Sequence, residues 1–240
     1  ERGVPWKRGW LLYGKPGTGK SALARAFAQD LDLPLWVYDL AELDNRTFSQ
    51  AWRQMRYSAP CIALIEDIDN VFHGRKNIAR TNSDGWMSRM MQPDRNGDGQ
   101  PSESRQRPVG ALSFDCLLNV LDGAEVNEGV FTIITTNDPS KIDEALGVAK
   151  PEGDSEFIST RPGRVDKAIE LGYMTQECKK QLAERIFRGC PEGMEDILQW
   201  LADNHGQEET PAQFQERAAT LALSYYWRDK RAQYCAQEVE

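Results

Sequence analysis

A glycine-rich segment near the start of the chain has the residue types and the spacing of a phosphate-binding loop. Residues 14–21 read GKPGTGKS, which fits the pattern G-x-x-x-x-G-K-(S/T), and they stand between an apolar run (9–13) and a helical pattern (22–31). Glycines let backbone N–H groups surround phosphates, and the start of a helix adds positive potential. The segment therefore predicts nucleotide binding by Gly14, Lys15, Pro16, Gly17, Thr18, Gly19, Lys20, Ser21 and Ala22.

Two residues of this loop and two carboxylates farther along the chain predict a magnesium–phosphate site. Lys20 would supply a point charge for the β- and γ-phosphates of ATP, and the Ser21 hydroxyl would ligate Mg²⁺. Glu66 and Asp67 follow the apolar run 61–65, and a strand end there can hold one carboxylate for the metal and one for the attacking water. Because adjacent residues point to different sides, we assign Glu66 to Mg²⁺ and Asp67 to water activation. A solvated acidic strand end is the alternative.

A polar amide and two arginines complete the set of residues that could act on a phosphoryl group. Asn137 comes at the end of the apolar run that starts at residue 130, where an amide can hold the attacking water or sense the γ-phosphate. Arg161 and Arg164 can stabilise the charge on a transferring phosphoryl group. Since they lie far along the chain from the glycine-rich loop, they predict arginine fingers supplied by a neighbouring subunit. Surface ion pairs are the alternative.

The elements that must position these residues predict an α/β fold followed by helices. Apolar runs at 9–13, 35–40, 61–65 and 130–135 alternate with helical patterns, an order typical of parallel strands covered by helices. After residue 170 three helical patterns follow with no apolar strand between them, and Thr210 and Gln213 form a capping box at the start of the third.

The predicted domain organisation is a P-loop NTPase core over residues 1–170 and a small α-helical domain over 171–240. An irregular insert, 73–110, interrupts the core and is rich in Gly, Asn, Ser, Arg and Met. A loop of this length is usually either functional or disordered.

Composition excludes several classes of protein. The 240 residues are 40% hydrophobic and carry 37 acidic against 29 basic side chains, a formal charge of -8, which disfavours nucleic acid as a partner. The five scattered cysteines predict a reducing compartment and no zinc site. No apolar run reaches the length of a membrane-spanning helix. The first residue is Glu1 rather than Met, so an excised fragment, with targeting or membrane segments upstream, is one reading.

The order of the motifs GWLLYGKPGTGKS, ALIEDID, LLNVLDG, TIITTN and RPGRVD resembles that of AAA-family ATPases. More narrowly, RGVPWKRGWLLYG, the Glu66–Asp67 order and LSFDCLLNVLDG are similar to mitochondrial AAA chaperones that move the folded Rieske iron–sulfur protein for assembly of respiratory complex III. The resemblance, over roughly residues 2–188, implies Walker A at 14–21, Walker B at Glu66 and Asp67, sensor 1 at Asn137, arginine fingers at Arg161 and Arg164, and a C-terminal AAA lid domain.

The resemblance also implies a Mg²⁺-dependent ATPase that forms a hexameric or heptameric homo-oligomeric ring and acts on a protein cargo. Threading unfoldases carry an aromatic–hydrophobic–glycine loop after the second strand, whereas residues 39–47 here read DLAELDNRT, so we expect no threading of an unfolded chain. The insert holds Trp86, Met87, Met90 and Met91, an adaptable apolar surface for partners, with disorder as the alternative.

Two other functions and several locations stay open at this point. The alternatives to a protein-remodelling ATPase are a nucleic-acid-associated AAA ATPase, such as a loader or helicase helper, and a nucleotide-switch scaffold with little hydrolysis. Membrane attachment is expected only through a segment that this chain lacks. The compartment is either the cytoplasm or, if the chaperone resemblance extends to the whole protein, the mitochondrial inner membrane, and a bacterial or phage relative is equally compatible.

Overall fold

The computed structural model describes residues 7–78, 111–122, 128–147 and 164–237. They belong to two compact units. The core unit comprises residues 1–14 and 20–170, and the C-terminal unit comprises Lys15–Gly19 and Leu171–Glu240. Residues 79–110, which make up most of the predicted insert, and Arg161 lie outside the described residues.

A parallel β-sheet forms the centre of the core unit. The described strands are β1 (Lys7–Tyr13), β2 (Leu35–Tyr38), β3 (Cys61–Ile65), β4 (Phe72–His73), β5 (Lys76–Asn77), β6 (Val130–Thr136) and β7 (Lys167–Glu170). Five of them form one sheet in the order β2-β3-β6-β1-β7, in which all neighbours are parallel, and β4 and β5 form a separate antiparallel pair. Because the strands are parallel, their carboxyl ends meet at one edge, where ligands of open α/β sheets bind.

Buried apolar residues explain why the central strands form. Every residue of β3 (CIALI) and β6 (VFTIITT) is buried, as expected for strands that are covered on both faces. The edge strand β7 (KAIE) is exposed or half-buried along its length and has no apolar run, so the sequence analysis did not predict it. The parallel sheet with flanking helices confirms the predicted α/β fold class.

Helices cover the sheet of the core unit. They are α1 (Lys20–Asp30), α2 (Asn45–Arg56), α3 (Ile68–Val71) and α4 (Phe114–Asp122). Phe48, Trp52 and Met55 of α2 are buried in one apolar cluster with residues of α4, β3 and β6. On α1, Phe27 packs against Trp10 and Phe131, with ring centroids 5.6 and 5.4 Å away. These contacts fix the helices that follow β1 and β2.

Helices make up the described elements of the C-terminal unit. These helices are α5 (Gln176–Ile186), α6 (Pro191–Asp203) and α7 (Pro211–Gln237). Thr210 caps α7 as predicted: the Thr210 N–H donates to Gln213 Oε1 at 2.9 Å, and the Gln213 N–H donates to Thr210 Oγ1 at 3.4 Å. A buried cluster that includes Phe187, Ile197 and Phe214 joins the three helices. Across the described parts of both units, we find no helix with the length and apolar composition that a membrane crossing needs.

Candidate nucleotide-binding site

The carboxyl ends of β3 and β6 bring two predicted site residues together. These strands are neighbours in the sheet, and Ile65 lies opposite Ile134. Just beyond them, Asn137 Nδ2 donates a hydrogen bond to Asp67 Oδ1 at 3.3 Å. The carboxylate and the amide, which are 70 residues apart in the sequence, therefore meet in one site.

The backbone of Asp67 adopts an uncommon conformation. Its φ is 46° and its ψ is 53°, in the left-handed region, where aspartate is one of the few residues other than glycine to occur. The Asp67 N–H donates to Thr135 Oγ1 at 2.9 Å, which holds the turn between β3 and α3 to the neighbouring strand. Residues kept in such conformations by their surroundings cluster at functional sites.

Lys20 reaches the same place from the start of α1. Its ammonium group donates to the carbonyl oxygen of Gly14 at 2.9 Å and to Asn137 Oδ1 at 2.8 Å. Burial lowers the pKa of Lys20, against the opposing effect of the negative charges of Asp67 and Asp69. The Asn137 amide thus contacts both an ammonium and a carboxylate, and it brings the predicted phosphate-binding cation beside the predicted water-activating group.

The environment of Asp67 favours proton acceptance. Burial is the main cause that raises the pKa of this carboxyl group, and the neighbouring charges of Asp69 and Glu66 act in the same direction. Lys20 and the hydrogen bond from Asn137 oppose the rise. A carboxylate whose pKa is moved upward is a better general base at neutral pH than an unperturbed one.

Asp69, which no sequence motif singled out, is central to the site. Its side chain is buried, and Asp69 Oδ1 accepts hydrogen bonds from Thr136 Oγ1 at 2.9 Å and from the Asn137 N–H at 3.0 Å. Asp69 therefore fixes the backbone that carries the Asn137 amide. The signal that could have found it is a third carboxylate directly after the buried strand β3 and the Glu66–Asp67 pair.

Glu66 and Ser21 are the two residues predicted to hold a magnesium ion. Glu66 follows β3 and forms an ion pair with Arg25 at 3.7 Å, in which both side chains are partly exposed. Ser21, in the first turn of α1, is half-buried. Hydroxyl and carboxylate oxygens are the ligands that Mg²⁺ prefers, and the mutual repulsion of Glu66, Asp67 and Asp69 is the kind of charge that a divalent cation offsets. Within the described part of the chain, no group of three or more His, Cys, Asp or Glu side chains is placed to hold a metal ion, so the assignment of Ser21 and Glu66 to Mg²⁺ stays a prediction.

The middle of the glycine-rich loop, Lys15–Gly19, belongs to the C-terminal unit. Gly17 has a φ of 80°, and its carbonyl oxygen accepts a hydrogen bond from the Ala212 N–H at 3.1 Å. A methyl group at position 17 would lie 3.1 Å from Ala212 Cβ and 3.2 Å from Thr210 Oγ1. Both the left-handed backbone and the close approach of α7 thus favour glycine here.

Other members of the loop are exposed or held locally. Thr18 is buried, and its hydroxyl donates to the Lys15 carbonyl at 2.9 Å. Gly14 and Gly19 both have positive φ, at 140° and 91°. Pro16 in the loop and Ala22 in the first turn of α1 are exposed.

The Lys15 side chain points to an aromatic partner. Its ammonium group donates to the hydroxyl of Tyr173 and lies 4.5 Å from the centre of that ring. The hydrogen bond to Tyr173 is the main cause that raises the pKa of Lys15. The assignment of Lys15 to nucleotide binding stays a prediction, and the structure adds its contact with Tyr173.

Arg164 lies inside the core unit. Its guanidinium donates two hydrogen bonds to the Asp122 carboxylate and one to the carbonyl oxygen of Ala145. The side chain of Arg164 is 6% exposed and that of Asp122 is 47% exposed. Within one chain this arginine is therefore engaged in a bidentate internal pair. Arg161, the other predicted finger, lies outside the described residues.

The fold and the site together define the class of protein. A family model described as ATPase family associated with various cellular activities (AAA) matches residues 10–150, more than half of the chain. The chain belongs to the AAA family, and this confirms the resemblance that the motifs carried.

Among curated proteins, the chain is similar to mitochondrial chaperones of the BCS1 type. It is 31% identical over 201 residues to the probable mitochondrial chaperone bcs1 of Schizosaccharomyces pombe, covering 82% of this chain and 35% of that protein. It is 33% identical over 221 residues to the probable mitochondrial chaperone BCS1-B of Dictyostelium discoideum, covering 90% of this chain and 44% of the relative. It is 29% identical over 191 residues to the mitochondrial chaperone BCS1 of Homo sapiens, covering 79% of this chain and 37% of that protein. The chain thus spans less than half the length of these relatives.

Proposed function

We propose that this chain is the ATPase part of a ring-forming AAA chaperone that couples ATP hydrolysis to the remodelling or translocation of a protein cargo. The observation that carries the proposal is the contact of one amide, Asn137, with both Lys20 Nζ at 2.8 Å and Asp67 Oδ1 at 3.3 Å. This arrangement puts a cation for phosphate beside a carboxylate for water, at the edge of a parallel sheet where nucleotides bind.

Different residues of the chain have different roles in the proposed hydrolysis. Backbone N–H groups of the loop 14–21 and Lys20 bind the β- and γ-phosphates, with Lys20 exchanging its contact with the Gly14 carbonyl for phosphate oxygens. Ser21 and Glu66 would hold Mg²⁺, which would neutralise charge on the phosphates. Asp67 accepts a proton from the attacking water as the water oxygen bonds to the γ-phosphorus and the bond to the ADP oxygen breaks. Asn137 orients Asp67 for this step.

The finer parts of the proposal come from the family and the relatives. A homo-oligomeric ring, hexameric or heptameric, would place Arg161 or Arg164 of one subunit at the ATP of the next. The relatives are named as chaperones, which favours a protein cargo, and as mitochondrial, which favours that location over the cytoplasm. The net charge of -8 favours a protein over a nucleic acid as the cargo.

Two substitutions test the ATPase assignment. Lys20→Ala removes the phosphate-binding cation, so we expect ATP affinity to fall on the order of a hundredfold, whereas Asp67→Asn keeps the size of the side chain and removes the base. For Asp67→Asn we expect unchanged binding and hydrolysis slower by about a hundredfold or more. Titration with a fluorescent ATP analogue and release of inorganic phosphate measure the two properties. The exposed Lys180→Ala and Asp30→Asn are the matched controls.

Each outcome of this test separates one alternative from the others. Wild-type hydrolysis by Asp67→Asn would disprove the assignment of the carboxylate pair. ATP binding by the wild-type chain with negligible turnover under all conditions would instead identify a nucleotide switch. Stimulation of hydrolysis by single- or double-stranded nucleic acid, and not by proteins, would favour the loader or helicase-helper alternative.

A further inference from the structure

An ionic cluster with a buried ion pair at its centre lies in the C-terminal unit. Lys179 Nζ donates to Glu209 Oε2 at 2.9 Å, and the side chains of both residues are almost fully buried. Arg217 Nη2 donates to the other carboxylate oxygen, Glu209 Oε1, at 3.0 Å. Glu209 therefore holds one cation on each of its oxygens.

Two aromatic rings pack against the cluster. Lys179 Nζ lies 5.9 Å from the ring centre of Trp200 and 5.7 Å from that of Phe214, and the Arg217 guanidinium stacks on Trp200 at 4.1 Å. Lys179 Nζ also donates to the carbonyl oxygen of Gln207 at 3.0 Å. Taking the charges of Lys179 and Glu209 out of water is expensive unless their geometry is well satisfied, and such a buried pair need not stabilise the fold. We therefore ask which parts of the chain this cluster holds in position.

Glu209 connects two segments that both touch the glycine-rich loop. Its carbonyl oxygen accepts a hydrogen bond from the Met174 N–H at 2.9 Å, directly beside Tyr173, whose hydroxyl accepts from Lys15. On its other side Glu209 precedes Thr210, the cap of α7, and the Ala212 N–H donates to the Gly17 carbonyl at 3.1 Å. Glu209 thus joins the segment that carries Tyr173 to the segment that carries Ala212, and both segments contact the loop.

We infer that Glu209, with Lys179 and Arg217, is a positioning residue for nucleotide binding: the cluster holds Tyr173 and the start of α7 so that together they fix the conformation of Lys15–Gly19. This inference rests on the proposed ATP binding at residues 14–21. The Lys15–Gly19 backbone must present its N–H groups to phosphates in one conformation, and a loop that is fixed beforehand loses less entropy on binding. The cluster acts through the loop and contacts no substrate itself.

The test replaces the ionic cluster without emptying its space. Lys179→Met with Glu209→Leu exchanges the buried pair for apolar side chains of similar volume, a change that often keeps or raises stability. We expect the melting temperature to be kept. Hydrogen–deuterium exchange of a peptide spanning residues 14–22 should become faster in the nucleotide-free protein, and the affinity for a fluorescent ATP analogue should fall on the order of tenfold.

A second cluster variant is available if the first does not fold, and an exposed ion pair provides the control. If the double variant does not fold, Arg217→Ala replaces it, because Arg217 is 42% exposed and its loss leaves the Lys179–Glu209 pair in place. The control is Glu192→Gln, which breaks the exposed Glu192–Arg228 pair, at 2.6 Å, between α6 and α7 and should change neither readout.

The two readouts separate this inference from the proposed function. Unchanged exchange of residues 14–22 in a folded cluster variant would overturn the inference whether or not ATP binds. Failure of the wild-type chain to bind ATP would overturn the proposed function and, with it, the link of the cluster to nucleotide binding. Exchange in the nucleotide-free protein would still report whether the cluster holds the loop.

Discussion

A single neutral side chain joins the two charges of the candidate site. The Asn137 amide accepts from Lys20 at 2.8 Å with its oxygen and donates to Asp67 at 3.3 Å with its nitrogen. A carboxylate in its place could not donate to Asp67, and a lysine could not accept from Lys20. The amide therefore bridges this pair without changing the charge of the site.

Asp69 holds the backbone that carries this amide, so we expect its removal to affect both stability and activity. Asp69→Ala leaves two donors without an acceptor, the Thr136 hydroxyl and the Asn137 N–H, so we expect a loss of roughly 2 to 3 kcal/mol in unfolding free energy. We also expect slower ATP hydrolysis, because the Asn137 backbone is released. Urea denaturation and phosphate release measure the two effects.

The matched variant for this prediction is Asp69→Asn. Both hydrogen bonds to Asp69 end on Oδ1, and the Asn side chain carries an equivalent carbonyl oxygen. We expect Asp69→Asn to recover most of the stability and activity that Asp69→Ala loses. Equal damage from both substitutions would mean that the negative charge, and not the accepted hydrogen bonds, is what matters at this position.

Sequence reasoning could predict the residues of local motifs and missed those defined by distant contacts. The GKPGTGKS loop and the Glu66–Asp67 pair were recognisable because spacing and neighbouring apolar runs carry their signal. The Lys15–Tyr173 contact joins residues 158 apart and the Arg164–Asp122 pair joins residues 42 apart, and neither has a local signature. The partners of Lys15 and Arg164 could therefore be identified only from the structure.

At the scale of elements, the close approach of two chain segments at the start of β1 explains one glycine. The Gly9 N–H donates to Asp166 Oδ2 at 2.8 Å, and the Asp166 N–H donates to the Gly9 carbonyl at 2.7 Å. A methyl group at position 9 would lie 1.7 Å from the carbonyl oxygen of Arg164. The chain that leads into β7 can approach β1 this closely only because residue 9 lacks a side chain.

The prediction at this scale is that Gly9→Ala disrupts the pairing of β1 with β7. The clash involves backbone, which cannot rotate away, so we expect a loss of roughly 3 kcal/mol in unfolding free energy. Gly172→Ala is the control, since a methyl group there meets no atom within 4 Å, and its effect should stay within about 0.5 kcal/mol. Thermal and urea denaturation of the two variants measure the difference. Similar stabilities would argue that the β7 edge moves away from β1 at little cost.

The same elements show which strands a sequence can predict. β3 and β6 are buried on both faces and read as continuous apolar runs, so their positions were predicted to within one or two residues. β7 and the short β4–β5 pair have no such run, because edge and hairpin strands are stabilised by pairing partners more than by their own burial. The start of α7 was predicted from cap chemistry, whereas its 27-residue length was not.

At the scale of the whole molecule, the internal pairing of Arg164 bears on how subunits would share a site. Its guanidinium is held by Asp122 and by Ala145 within one chain, so a substitution at Arg164 would disturb that chain as well as any neighbour. Arg161 stands three residues before Arg164 in the motif RPGR and has the same predicted role. We therefore choose Arg161 to test whether subunits share a site.

The last prediction concerns catalysis between subunits. In a ring with head-to-tail contacts, an Arg161→Ala chain keeps its own nucleotide-binding loop, and a Lys20→Ala chain keeps its own arginine. Each variant alone should hydrolyse ATP negligibly. In an equal random mixture, about a quarter of the sites combine an intact loop with an intact arginine, so we expect partial recovery of phosphate release, up to about a quarter of the wild-type rate. Mass spectrometry of the intact assemblies would verify that mixed rings form. Mixed rings without any recovery would show that Arg161 does not act on the neighbouring site. Recovery that is greatest at equal mixing and falls toward zero as either variant comes into excess would establish that it does.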